Sequence, residues 1–272
     1  MSGLDFLYGT AAGRALLRPL TARALSRAAG KLLDTSASRA MIPLFVRHAG
    51  IDTEEYDLSG VRSFNDFFRR PLKAGRRTID EDPSALVAPC DGLLTAVPIT
   101  RDTVLSVKQS RWTVSRLLND GALAREFENG VCLVFRLCVD NFHRYAWFDS
   151  GRKGRNVFLP GKLHTVRPVA LEKEPVFTEN CREYTVVESD HFGRAVQAEI
   201  GAMLVGRIVN HEPGPGAVRR GEEKGFFEYG GSTVLLLLGA GAAQIREDIL
   251  RASKDGRETP VRLGERIGSA RK

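Results

Sequence analysis

Cysteine is scarce in this 272-residue sequence, and the four present, Cys90, Cys132, Cys138 and Cys181, make no Cys-x-x-Cys pair. A chain of this length does not depend on a disulfide framework, so a reducing compartment is expected. The five histidines, His48, His143, His164, His191 and His211, are scattered without metal-ligand spacing, which argues against a zinc or di-metal centre. Long apolar runs are missing too. The longest, from Val234 to Ala243, contains two glycines and falls well short of the roughly 18 residues a membrane span requires. Arg14, Arg18, Arg23 and Arg27 interrupt the region where a secretory signal would need an apolar core, so none is expected. No internal repeat or low-complexity segment is evident. What remains is a globular composition, 43% hydrophobic and 27% charged, long enough for one large domain or for a core with an appended piece.

Acidic residues are few at one end only. Residues 1 to 50 hold seven Lys or Arg against Asp5 and Asp34, so five of the chain's net +7 charges are local. The basic residues recur mostly every fourth position, and Leu16, Leu17, Leu20, Leu25, Leu32 and Leu33 supply an apolar surface between them, as in amphipathic helices. Two readings arise. In one, the leucines enter a lipid interface while the basic side chains meet anionic head groups. In the other, the helices pack on the protein's own core with solvated arginines. Charge alone also leaves nucleic acid open as a partner.

Ser63 to Leu72 reads as a short N-capped helix with Phe64, Phe67 and Phe68 on one side, stopped by Pro71. Beyond Pro89, short runs rich in Val, Leu and Ile, separated by Gly, Asn and Asp, predict strands over 103–107, 131–139, 183–188, 195–208 and 233–238. Helices are predicted over 114–119 and 242–253. The expected class is therefore α+β: a mainly antiparallel β core with peripheral helices and an N-terminal amphipathic helical segment. Residues 1–60 would form that membrane-association segment and 61–272 the core. Residues 211–225, rich in Pro and Gly among charged side chains, predict a mobile surface loop.

After that loop comes Gly230-Gly231-Ser232-Thr233, leading straight into Val234-Leu235-Leu236-Leu237-Leu238. Taken alone it suits a hairpin turn feeding a buried strand as well as a strained turn that presses a serine hydroxyl against the preceding carbonyl. Its company narrows the choice. Phe64-Asn65-Asp66-Phe67-Phe68-Arg69-Arg70-Pro71-Leu72, Ala88-Pro89-Cys90-Asp91-Gly92, Phe142-His143-Arg144, Phe177 to Glu183, Gly201 to Gly206 and Gly230 to Thr233 occur in this order. From about residue 40 onward the chain resembles the phosphatidylserine decarboxylases in both order and spacing.

The resemblance implies a proenzyme that cuts itself at Gly231-Ser232, giving chains of residues 1–231 and 232–272. Ser232 Oγ would attack the Gly231 carbonyl, and β-elimination followed by hydrolysis would leave a pyruvoyl group where Ser232 stood. That ketone would take up the substrate's amine and accept the electron pair released with carbon dioxide, so no external cofactor or metal is expected. The implied substrate is phosphatidylserine and the implied product phosphatidylethanolamine. Such an enzyme would sit peripherally on an anionic membrane, at the cytoplasmic face, with no nucleic-acid partner. A homodimer is expected from the general tendency of sheet edges to be buried.

For self-cleavage the resemblance implies an Asp-His pair, with Asp91 as the acid. Here the sequence departs from the pattern. Relatives carry two histidines three positions apart; the first matches His143, implied to protonate the decarboxylated carbon, with Arg144 as a structural or carboxylate-orienting neighbour. The second position holds Ala146, which cannot accept a proton, so self-cleavage is expected to be impaired. Two alternatives stand beside this reading: a silent lipid-binding relative, and a decarboxylase of a soluble amino-acid-like substrate. His164, His191 and His211 are expected to be solvated or structural.

Overall fold

The computed structural model describes all residues except 1, 2, 11, 14, 17–20, 22, 101–104, 108, 109, 166–175, 203–206, 229–231 and 272. Expectations resting on Arg14, Arg18, Gly231 and residues 203–206 therefore lie outside the described residues. In chain order the strands are β1 (Ala85–Val87), β2 (Gly92–Pro98), β3 (Leu105–Val107), β4 (Ser110–Trp112), β5 (Val131–Leu137), β6 (Arg144–Ala146), β7 (Gly151–Lys153), β8 (Val157–Leu159), β9 (Arg182–Ser189), β10 (Gly193–Ile200), β11 (Ile208–Asn210), β12 (Gly216–Val218), β13 (Glu223–Phe227), β14 (Ser232–Leu238), β15 (Ala243–Ile245), β16 (Thr259–Val261) and β17 (Arg266–Ala270).

The apolar run after Ser232 becomes β14, the centre of a nine-stranded antiparallel sheet ordered β12-β7-β9-β10-β14-β5-β2-β16, with β8 also on β9. All seven β14 residues are buried, as a strand covered on both faces demands; an uninterrupted Val-Leu-Leu-Leu-Leu sequence suits that position and an alternating one would not. A three-stranded sheet, β11-β13-β6, lies over one face. Gln197 of β10 reaches it, donating from Nε2 to the Ala146 carbonyl at 3.0 Å. The antiparallel α+β expectation holds.

Three local expectations are corrected. Residues 211–225 are not simply a loop: β12 and most of β13 fall within them, and Lys224 is buried. Their Pro and Gly form the turns, while strand pairing absorbs the rest. The predicted helix over 242–253 begins as β15 and turns helical only at Glu247–Lys254. The predicted 195–208 strand ends at Ile200, and β11 begins a separate pairing at Ile208.

Four helices frame the site and the N-terminal region: α1 (Gly3–Gly9), α2 (Arg23–Leu33), α3 (Ile42–Ala49) and α4 (Phe64–Phe68). Ser63 caps α4 in a reciprocal box with Asp66, at 3.1 and 3.0 Å, and buries Phe64, Phe67 and Phe68. The N-terminal region packs inward as well as facing out. Tyr8 lies in the main core, and Leu33 clusters with Phe64 and Phe68. Yet Leu32 and Leu44 are 68% and 71% exposed, with Met41 also outward. No helix among the described residues is long and apolar enough to cross a membrane.

Candidate active site

Ser232 opens β14 beside Leu137, the last residue of β5. On the other side of β5, Leu93 of β2 pairs with Arg136, so Gly92 stands next to Leu137. A side chain at Gly92 would bring its Cβ within 2.8 Å of the Arg136 carbonyl, so glycine is what allows β2 to begin this close. Adjacent strands lie about 4.8 Å apart, which places the backbones of Gly92 and Ser232 about 10 Å from one another across one end of the sheet. Asp91, immediately before Gly92, shares that end. Ser232 is fully buried, and its Oγ has no hydrogen-bond partner among the described residues. An orphaned buried hydroxyl costs stability, and this one stands where the sequence places the nucleophile.

His143 follows the turn that leaves β5. The Cys138 amide donates to Asn141 Oδ1 at 2.8 Å and closes the turn. His143 Nδ1 lies 3.0 Å from the Asn141 carbonyl. A carbonyl only accepts, so Nδ1 carries the proton and Nε2 presents a lone pair. Nε2 is buried without a partner among the described residues. Burial, aided by the charge of Arg70, pushes the imidazole down to about 3, so near neutral pH the ring is uncharged, with Nδ1–H donating and Nε2 able only to accept a hydrogen bond. Phe68 packs on the ring at a centroid distance of 3.9 Å. The His143 carbonyl accepts from the Phe227 amide at 2.8 Å, tying the imidazole's backbone to the strand that runs toward Ser232.

Arg70, inside a motif the sequence marks only as packing, positions this loop. It is fully buried, donates to the Asp140 carbonyl at 2.8 Å and to that of Asn141 at 3.4 Å, and stacks over Tyr56 at 4.2 Å. The same Asn141 carbonyl therefore receives both Arg70 and His143.

Asp91 is not paired with a histidine. Arg77 holds it in a fork, with Nε at 3.0 Å from Oδ1 and Nη2 at 2.5 Å from Oδ2, and the Leu263 amide adds a bond of 2.8 Å. Arg77 also reaches Glu55 at 3.0 Å, and these two carboxylates raise its pKa against the opposing effect of burial. A cavity of about 670 Å³ opens here, lined by Asp91, Arg77, Glu55, Tyr56, Cys138 and Asn141 among others. Neighbouring Cys90 is buried, and burial pushes its thiol up, away from thiolate chemistry.

Ala146 is buried in β6, its amide bonded to the Pro89 carbonyl at 2.8 Å. Arg144 donates to Glu223 at 2.8 Å and to the Arg69 carbonyl at 2.7 Å. His164 is buried, its backbone bracketed by Asn180, whose Nδ2 also donates to the Gly201 carbonyl at 2.7 Å. One amide thus joins the Phe177–Glu183 motif to the start of the Gly201–Gly206 motif. His191 sits 3.1 Å from Asp149 and His211 2.7 Å from Glu223. Sequence reasoning also passed over a buried ion pair, Lys224 with Glu199 at 2.7 Å. Its only sequence signals are single charged residues, one in an apolar strand and one in the supposed loop. Among the described residues no cluster suited to a metal ion occurs.

Comparison with known proteins bears on the family of the chain. The family profile described as phosphatidylserine decarboxylase matches residues 64–269. The chain is 40% identical over 266 residues to "Phosphatidylserine decarboxylase proenzyme 2" of Clostridium acetobutylicum, covering 97% of this chain and 91% of that one. It is 39% identical over 272 residues to the phosphatidylserine decarboxylase proenzyme of Ruminiclostridium cellulolyticum, covering 98% and 90%.

Proposed function

Since this chain belongs to the phosphatidylserine decarboxylase family, we propose that its described site is the one that removes the serine carboxylate of phosphatidylserine, with Ser232 as both nucleophile and cofactor precursor. The chain is a pyruvoyl-type decarboxylase yielding phosphatidylethanolamine. The observation that carries the site assignment is the buried, unpartnered Ser232 Oγ at the head of a fully buried strand.

That position fits a pyruvoyl group. The hydroxyl makes no bond among the described residues that its loss would break, and the strand behind it is apolar, so a ketoacyl terminus there leaves no new polar group stranded. In forming it, Ser232 Oγ attacks the Gly231 carbonyl carbon, the peptide C–N bond breaks, the ester is lost as the Gly231 carboxylate with the Cα proton, and water then replaces the freed nitrogen, released as ammonia, to leave the ketone. Once in place, the group supplies the electron sink for cleavage of the Cα–carboxylate bond.

The remaining work belongs to the chain's own side chains. His143 Nε2 is an uncharged, buried acceptor free to take a hydrogen bond from the substrate. Delivery of a proton to the substrate carbon after carbon dioxide departs is the step assigned to His143, whose imidazolium, once formed, gives up its proton readily. Asn141 and Arg70 keep the ring in the Nδ1–H tautomer. Asp91, fixed by Arg77, contributes a rigid carboxylate at the neighbouring cavity. Residues 1–60 act as the membrane-association segment, where exposed Leu32, Met41 and Leu44 stand beside Lys31, Arg39 and Arg47. They hold the enzyme at the cytoplasmic membrane face.

Intact mass and denaturing gels of the purified protein test the assignment. A 41-residue fragment, residues 232–272, carrying an N-terminal pyruvoyl group is expected, together with carbon dioxide release from phosphatidylserine vesicles. Ser232→Ala should remain full-length and inactive. A Ser232→Ala protein that still decarboxylates would overturn the reading.

A further inference from the structure

Ala146 removes the imidazole expected to activate Ser232, yet the structure places another proton carrier on the strand paired with it. In the pairing of β6 with β13, Ala146 faces Glu223 and Tyr145 faces Gly225, so Lys224 is the extra residue of a bulge directly beside Ala146. Bulges redirect side chains, and this one sends Lys224 into the interior. Its Nζ meets Glu199 Oε1 and Oε2 at 2.7 and 2.8 Å and the Gln197 carbonyl at 3.4 Å, and lies 4.8 Å from the Trp147 ring centroid. Gln197 in turn holds the Ala146 carbonyl.

Sheet register then puts this pair next to the scissile position. Glu199 faces Val234 and Ile200 faces Thr233. Side chains alternate, so Glu199, Val234 and Ser232 project from the same face of the sheet. Glu199 and Ser232 are diagonal neighbours on adjacent strands, a separation of about 7 to 8 Å that long side chains span. Ser232 Oγ and Gln197 Oε1, both on this face, are buried polar atoms without partners among the described residues. The route from Oγ to the ion pair runs through this shared face, where a single water can relay a proton.

We propose that Lys224, held in place by Glu199, is the base that activates Ser232 for self-cleavage, taking the part of the second histidine that this chain lacks. The proposal rests on the self-cleavage reading of Ser232. The Oγ proton passes to Nζ as Oγ bonds to the Gly231 carbonyl carbon and the carbonyl electron pair moves onto oxygen. When the carbonyl re-forms, the C–N bond breaks, and Nζ returns the proton to the departing Ser232 nitrogen. An amide and a hydroxyl become an ester and an amine, with no proton gained or lost. Burial supports this role. It lowers the Lys224 pKa and raises that of Glu199, which brings the neutral arrangement, proton on the carboxyl and lone pair on the amine, within reach.

The test is a time course of full-length protein converting to two fragments after rapid purification, with thermal melts to verify folding. The unaltered chain should cut itself. Lys224→Met with Glu199→Gln removes both charges without stranding either, and should slow cutting at least ~100-fold, the low end for loss of a general base. Should that pair of changes prevent folding, Lys224→Arg takes its place, since arginine keeps the charge but cannot give up its proton. Glu199 is a positioning residue, so Glu199→Asp should retain cutting within tenfold while Glu199→Gln in a folded chain should not. A folded Lys224 variant that cuts within threefold of the unaltered chain would refute the role of Lys224 and leave self-cleavage standing. An unaltered chain that never cuts would refute both.

Discussion

At the scale of single residues, the site is built from polar atoms that the fold leaves unpaired. Ser232 Oγ and His143 Nε2 are both buried without partners among the described residues, and each missing bond costs roughly 1 to 3 kcal/mol that packing elsewhere must offset. His143 has a signature that can be measured. Its folded pKa, about 3, lies below its unfolded value near 6.5. A depressed pKa contributes stability that is fully present above pH 6.5 and is lost as pH falls from there toward 3, at up to about 1.4 kcal/mol per pH unit. Urea unfolding of the Ser232→Ala protein across this window should show that slope in excess of the same protein carrying His143→Gln. Equal slopes would mean that the imidazole is not held neutral by burial.

At the scale of elements, short segments hold the reactive ends of long strands in place. Arg70, just beyond α4, joins that helix to the Asp140–Asn141 turn. Arg70→Met preserves bulk but removes those bonds, so it should destabilise the protein by about 3 kcal/mol, in keeping with the loss of buried charge-assisted bonds. Decarboxylation by the cut enzyme should fall at least tenfold, because His143 loses the support of its Asn141 acceptor. Retention of full activity would show that the turn holds itself. Asn180 plays a similar part between His164 and Gly201, and Asn180→Ala should lower stability by about 2 to 4 kcal/mol in urea titration.

At the scale of the whole molecule, the N-terminal quarter does two things at once. It is stitched to the core, with the Phe64 amide donating to Ser38 Oγ at 2.9 Å and the Asn65 side chain to Asp34 at 2.9 Å. It also turns Leu32, Met41 and Leu44 outward next to basic residues. The two sequence readings of this segment, packing and membrane contact, are therefore compatible. Replacing Leu32, Met41 and Leu44 together by serine should reduce co-sedimentation with anionic vesicles about tenfold or more, since each leucine withdraws about 1.5 to 3 kcal/mol of burial, while self-cleavage proceeds unchanged. Undiminished binding would place the membrane contact elsewhere.

Sequence by itself determined the antiparallel core, the capped helix at Ser63, the position of Ser232 at the head of an apolar strand and the gap at Ala146. Those features are local: alternation, capping and turn chemistry act over a few neighbouring residues, and six short motifs in order identify the family. What only the tertiary structure decided was which groups meet. Asp91 joins Arg77 rather than a histidine, Arg70 governs the His143 loop, and Lys224 joins Glu199 across 25 residues of sequence. The 211–225 segment shows why. Its composition suits a loop, but strand pairing across the sheet outweighs local propensity, and a one-residue bulge opposite Ala146 turns an apparently solvated lysine into a buried partner of Glu199.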